Sequence, residues 1–155
     1  MKPKTTKYDK NQSQLIKEAE GLYANYLKKE KNFFTNERKV ILNSIFEYGE
    51  GHFSTDELLF ELQKSSKKVS RATLYRALKQ LVGAGVLVEA DFGHGHTHYE
   101  ISVGHKHHIH LICSDSGTVK EVESPELEKV LQKIAKSENF NLKSHKIQLF
   151  GVLQK

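Results

Sequence analysis

From Ser13 to Leu81 the apolar residues of this 155-residue chain recur every three or four positions, and beyond Gly85 they form short strand-like runs. Spacing of the first kind predicts amphipathic helices, each with one apolar face. Every helix after the first follows a residue that commonly caps helix N-termini, namely Thr35, Ser54 or Ser70. The next two runs, 86–90 and 97–101, flank a glycine-rich turn and predict a hairpin. Three short helices followed by a two-stranded hairpin are the order of a winged helix-turn-helix domain.

The remainder of the chain follows a different pattern. Runs 110–113 and 119–122 predict two strands joined by a turn, and 141–150 predicts a final strand. Between them, Ser124 caps a predicted helix that has Pro125 in its first turn. A half of about fifty residues is small for an independent core, so we expect it to pair with a second copy.

These patterns predict an α+β chain, with an N-terminal winged helix-turn-helix domain followed by a small α/β dimerisation domain. The expected boundaries are a disordered N-terminus at 1–12, the winged-helix domain at 13–102 and a metal-binding dimerisation domain at 103–155. No apolar run is long enough to span a bilayer, and the basic N-terminus lacks the apolar segment of a secretory signal. The expected location is therefore the cytoplasm, with no membrane partner.

Charge and cysteine content limit the kinds of partner. The formal net charge is +5, which permits a polyanionic partner without requiring one. Cys113 is the only cysteine, so neither an intrachain disulfide nor a cysteine-only zinc site can form. Any bound metal must be held mainly by nitrogen and oxygen ligands.

The helix predicted after Ser70 has the features of a DNA recognition helix. Such a helix needs short or planar side chains near its N-terminus for base edges, and cations for phosphates. Its apolar residues should face inward and leave a polar face for DNA; they are Leu74, Ala77, Leu78 and Leu81. The candidate DNA contacts on the polar face are Arg71, Thr73, Tyr75 and Arg76. The alternative is an ordinary solvated basic face, which the order of helices and hairpin disfavours.

Seven of the nine histidines lie between positions 94 and 110. Because side chains two apart on a strand share a face, His108 and His110 can converge on one ion while His107 points away. Glu121, on the next predicted strand, can meet them across the sheet. Adding His52 and Glu100 would bring the set to three imidazoles and two carboxylates, which suits Fe(II), Mn(II), Co(II) or Zn(II).

The hairpin turn itself is also rich in histidine, with His94, His96 and His98 in the run 93–98. These residues could bind a further metal. An exposed turn that binds nothing is the preferred interpretation.

Together, the segment 71–76, the run 107–113 and Gly117 resemble the ferric uptake regulator superfamily, over about residues 35–150. The resemblance implies a winged-helix domain joined to an α/β dimerisation domain, a regulatory metal that bridges them, and a loaded dimer that represses promoters. It implies DNA contacts at Tyr75 and Arg76. It also implies a regulatory metal site made of His52, Glu100, His108, His110 and Glu121.

Two departures from the family pattern concern metals. Family members commonly hold a structural zinc with two CxxC pairs, whereas here Ser116 stands where the partner of Cys113 would be and no second pair is present. A cysteine-ligated structural zinc is therefore not expected. A second metal site would use His107, Glu128 and His145 together with position 109. That position holds Ile109 instead of the usual acidic ligand, which leaves the second site incomplete.

Two further departures concern spacing and DNA contact. The stretch from Glu100 to His108 is one residue longer than usual, which makes Glu100 the least secure ligand of the regulatory set. Phe33 stands in place of a lysine that often enters the minor groove in this family.

The expected function is that of a metal-responsive DNA-binding repressor, most simply an Fe(II)-dependent regulator of iron homeostasis, and not an enzyme. Iron sensing is preferred because Glu121 occupies the position at which peroxide sensors of the family carry aspartate. Peroxide sensing and zinc sensing remain alternatives. Outside the family, a small histidine/carboxylate metalloenzyme and a metal buffer are alternatives, but neither explains the helix-turn-helix order. The expected partners are double-stranded operator DNA and a second copy of the chain.

Overall fold

The computed structural model describes residues 12–49, 51–93, 95–104, 108–142 and 145–154. The chain divides into two compact units. The first contains the described residues up to Asp91 together with Gly95–Gly104, and the second contains Phe92, Gly93 and the described residues from His108 onwards. The predicted disorder of 1–12 falls on residues outside this description, except that Gln12 already begins a helix.

Four helices build most of the first unit: α1 (Gln12–Lys29), α2 (Asn36–Tyr48), α3 (Thr55–Lys64) and α4 (Arg71–Gly83). The three predicted caps are confirmed. The Thr35 hydroxyl accepts the backbone N–H of Arg38 at 3.3 Å, and Ser70 accepts that of Thr73 at 3.1 Å. Ser54 forms the predicted capping box at the start of α3, each partner satisfying an N–H that the helix leaves unbonded.

A three-stranded antiparallel sheet completes this unit, with β1 (His52–Ser54), β2 (Leu87–Asp91) and β3 (Thr97–Ile101) in the order β1-β3-β2. The two-stranded hairpin expected from sequence is present, but it is extended to three strands because β1 pairs with the free edge of β3. Three residues are too few to show the alternation that identifies a strand. The added strand places His52 directly opposite Glu100.

The core of the first unit lies between the helices and the inner face of the sheet. The four residues of α4 predicted to face inward are all buried, and Tyr23, Leu42 and Phe53 join them. Each large apolar side chain buried in this way contributes about 1.5–3 kcal/mol. Helix α1 packs so closely on α4 that a Cβ at Gly83 would lie 2.7 Å from the ring of Tyr26. The outward face of α4 is held at one orientation by this packing.

The second unit contains β4 (Ile109–Cys113), β5 (Val119–Val122), α5 (Pro125–Ser137) and β6 (Ile147–Gly151). The strands are ordered β5-β4-β6, antiparallel between β4 and β5 and parallel between β4 and β6. Strand β6 is shorter than the predicted run 141–150, because its pairing starts where β4 starts, at Ile109 opposite Ile147. The predicted cap is confirmed, since the Ser124 hydroxyl accepts the N–H of Leu127 at 3.3 Å.

The apolar face predicted for α5 is only partly covered by the described part of the chain. Val130 is 50% exposed and Ile134 is 56% exposed, and Phe150 on the edge strand β6 is also exposed. Apolar surface of this extent on a small α/β unit is typical of a protein–protein interface. Within the described ranges no helix is long and apolar enough to cross a membrane.

Candidate metal centre and DNA-binding surface

The second unit brings His108, His110 and Glu121 together. His110 lies on β4 opposite Glu121 on β5, and His108 precedes β4 by one residue, so the two imidazoles share a face of the strand. Their ring centroids are 4.8 Å apart, and His108 Nε2 lies 3.8 Å from Glu121 Oε1. The ring of Phe92 packs on His110 with centroids 5.3 Å apart, and His110 is only 4% exposed.

This donor set fits a divalent transition metal. One ligand atom from each of His108, His110 and Glu121 lies within 4.8 Å of the others. An ion bound at about 2.1 Å separates its own ligand atoms by about 3–4 Å, so small side-chain adjustments would suffice. Two imidazole nitrogens and a carboxylate oxygen are a common ligand set for such ions.

In the first unit, His52 and Glu100 face each other across β1 and β3, and Glu100 is buried. A third residue joins them that the sequence interpretation had assigned to the exposed turn. The ring of His98 meets that of His52 with centroids 5.1 Å apart. His98 lies two residues before Glu100 on the same strand and therefore on the same face, a spacing that could have identified it.

The second predicted metal site is only partly visible. His145 Nε2 lies 2.8 Å from Glu128 Oε1, so these two candidates do meet. His107 lies outside the described residues. Ile109 pairs with Val122 on one side and Ile147 on the other, and an aliphatic side chain offers no ligand atom. The two described candidates contact each other directly, and this contact does not require a metal.

Cys113 lies at the start of a tight turn at the end of β4. Its carbonyl accepts the N–H of Gly117 at 2.8 Å, and its N–H donates to the carbonyl of Thr118 at 2.9 Å. The hydroxyls of Ser116 and Thr118 are hydrogen-bonded to each other at 2.8 Å. A hydrogen bond from the Ser116 side chain to the thiol, with backbone hydrogen bonds from Leu153, Ser116 and Asp115, lowers the pKa of Cys113 to about 7.

Replacing Ser116 with alanine is expected to raise the pKa of Cys113 towards its ordinary value, because the largest stabilising hydrogen bond to the thiolate is lost. A pH titration of the thiolate ultraviolet absorbance measures this directly, since the chain has a single cysteine. Ser114→Ala is the matched control and should leave the titration unchanged. Equal midpoints for Ser116→Ala and the wild type would contradict the assignment.

The outward face of α4 carries the candidate DNA contacts. Arg71, Tyr75 and Arg76 are exposed there, as predicted. Arg71 forms a salt bridge with Asp56 on α3. Thr73 is half-buried and its hydroxyl accepts a hydrogen bond from Ser70 at 2.9 Å.

Comparison with known proteins agrees with this architecture. The sequence model described as the ferric uptake regulator family matches residues 29–150. A ferric uptake regulation protein of Rhizobium leguminosarum bv. viciae is 39% identical over 118 residues, which cover 76% of this chain and 82% of the relative.

Solved structures give the same result. A ferric uptake regulator from Pseudomonas aeruginosa with manganese is 29% identical, with a TM-score of 0.74 over 83% of this chain and 96% of that chain. A zinc-bound manganese uptake regulator is 35% identical, with a TM-score of 0.55 over 85% of this chain and 98% of that chain. The fold class predicted from sequence is confirmed, and the chain belongs to the ferric uptake regulator family of metal-responsive transcriptional regulators.

Proposed function

We propose that this protein is an Fe(II)-dependent repressor that binds operator DNA in the cytoplasm as a homodimer. The observation that carries the proposal is the convergence of His108, His110 and Glu121 in the second unit. The first unit supplies the DNA-binding helix α4 and two further candidate ligands, His52 and Glu100. The proposed regulatory metal site therefore consists of His52, Glu100, His108, His110 and Glu121.

Nitrogen and oxygen donors of this kind bind several divalent ions, and availability in the cell contributes to the choice. Iron is preferred because the similar protein from Rhizobium is named a ferric uptake regulation protein. Manganese is the second candidate, because a manganese uptake regulator is 35% identical to this chain. Zinc is the third, since that relative was solved with zinc bound.

In the proposed mechanism, metal binding controls the orientation in which α4 meets DNA. A bound ion supplies one positive centre to which carboxylates and neutral imidazoles bind together. If His52 and Glu100 bind the same ion as the residues around β4, the metal-loaded protein favours one orientation of its DNA-binding unit. Shifting a mostly open population to a mostly closed one needs about 5 kcal/mol of differential affinity, which five ligands can supply. Two recognition helices would then match half-sites spaced by turns of DNA.

Dimerisation is proposed to use the second unit. The exposed apolar residues Val130 and Ile134 on α5, with Phe150 on the edge strand β6, offer the surface that a second copy would cover. An edge strand with apolar side chains is also the place at which two sheets can pair.

The experiment that tests the proposed function is an operator titration under anaerobic conditions, with a duplex selected from random DNA by the metal-loaded protein. We expect Fe(II) to support sequence-specific binding and a chelator to abolish it. Specific binding that persists in chelator would contradict metal dependence. Support by Mn(II) or Zn(II), but not Fe(II), would replace iron as the sensed metal.

A separate experiment distinguishes peroxide sensing from iron sensing. Addition of one oxygen atom to His52 or His108 of the Fe(II)-loaded protein after peroxide treatment, detected by mass spectrometry, would favour it over iron sensing. We expect both histidines to keep their mass.

A further inference from the structure

Arg38, in the first turn of α2, has its guanidinium held in place from two sides. Nε donates to Gln80 Oε1 on α4 at 3.3 Å, and Nη1 donates to the carbonyl of Phe33 at 2.5 Å. The same Gln80 oxygen accepts the hydroxyl of the fully buried Tyr23 on α1 at 2.9 Å. Three helices thus meet at one amide oxygen, and the arginine cannot reorient without breaking these bonds.

The charge of this guanidinium is not neutralised by the groups that hold it. An amide oxygen and a backbone carbonyl are both neutral acceptors. Burial raises the pKa of Tyr23 to about 12, so its hydroxyl stays protonated and adds no negative charge. The first turn of α2 brings the positive end of the helix dipole, which disfavours a cation further.

Several other cations of the first unit are paired with carboxylates. Lys39 is paired with Glu20, Lys67 with Glu47, and Arg71 with Asp56. Within the part of the chain that the structure describes, no carboxylate lies within ion-pair distance of Arg38. A fixed guanidinium with two hydrogen bonds to neutral groups still has unused N–H donors, and these suit an anion with two adjacent oxygens.

Arg38 is connected through Gln80 to helix α4, whose outward face carries the candidate DNA contacts. Its partner Gln80 lies four residues after Arg76 on α4, and residues at this spacing are neighbours on one helix face, about 5–6 Å apart. Through Gln80, the guanidinium is held about one helical turn along α4 from the exposed Arg76. An anion bound there would flank the base pairs that Tyr75 and Arg76 face.

We propose that Arg38 binds a backbone phosphate of the operator DNA, in addition to the contacts assigned to α4. The inference rests on the proposed DNA-binding function. Gln80 acts as a positioning residue: it holds the guanidinium in advance, so that less side-chain entropy is lost when the phosphate binds. Because a phosphate carries no base identity, the contact raises affinity for all duplexes alike.

The test measures binding of the metal-loaded protein to its selected duplex and to an unrelated duplex, over a range of salt concentrations. For Arg38→Ala we expect about a 10-fold loss on both duplexes, an unchanged ratio between them, and a slope of log K against log salt lower by about one. Lys39→Ala is the matched control, because Lys39 is next to Arg38 in the sequence but its side chain is already paired with Glu20. It should keep both the affinity and the slope.

Gln80→Leu separates a phosphate contact from a purely structural role. This variant retains the charge of Arg38 but not its orientation, so affinity should fall about 3-fold while the salt slope stays near the wild-type value. Thermal unfolding of both variants records any loss of packing. Arg38→Ala with a wild-type slope would overturn the proposal, whatever its stability. A wild-type protein that binds no duplex in any metal would instead overturn the proposed function, and this inference with it.

Discussion

His110→Ala is expected to lower metal-dependent affinity for the operator by about 100-fold or more. His110 is buried, lies opposite Glu121 and packs against Phe92, so its imidazole has little freedom and water would replace it poorly as a ligand. Losing one ligand reduces the free energy that metal binding contributes to the DNA-competent orientation. The measurement is a mobility shift with the selected duplex, with and without Fe(II), together with metal analysis of the purified variant.

His96→Ala is the matched control, because His96 is an exposed histidine next to β3. It should retain both metal content and operator affinity. If the His110→Ala variant bound the operator with wild-type affinity and still lost this binding in chelator, the role assigned to His110 would be refuted. Thermal unfolding of the variant shows whether the unit remains folded.

Ile134→Glu is expected to convert the proposed dimer into a monomer and, as a result, to remove specific operator binding. Ile134 lies on the apolar face of α5 and is 56% exposed in the single chain, so the substitution costs the isolated chain little. In a dimer that covers this face, the carboxylate would be buried without a partner, at a cost of several kcal/mol. Sedimentation equilibrium measures the oligomeric state, and the mobility shift measures the consequence for DNA.

Lys133→Glu tests the specificity of that result, since Lys133 is the adjacent exposed residue on the same helix. This variant changes the charge next to the apolar face but does not place a charge on that face, so it should remain dimeric. Either a monomeric wild type or a dimeric Ile134→Glu variant would show that this face is not the dimer interface.

The helix starts illustrate what could be predicted locally. Thr35, Ser54, Ser70 and Ser124 were identified as caps from neighbouring residues alone, and the structure confirms each of them. A cap bonds to an N–H within three residues, so its partners lie in the same short stretch of sequence. The inward face of α4 could be predicted for the same reason, because helical periodicity places its apolar residues on one side.

The candidate site was predictable only in part. His108 and His110 share a face because they are two residues apart on a strand, and this much follows from sequence. That Glu121 meets them depends on the register of β4 and β5, which a short turn constrains. The position of His98 beside His52 was missed, because it depends on the three-residue strand β1 pairing with a strand more than forty positions away.

By itself, the sequence determined the helices, the outward polar face of α4 and the position of His108 and His110 on one face of β4, because each follows from residues close together along the chain. Tertiary structure alone decided that β1 extends the hairpin into a sheet and that Ile134 is left exposed. It also decided that Arg38 is held by Gln80, forty-two positions away. These features depend on pairing between distant segments, where many registers and packings compete and local spacing carries no information about which one forms.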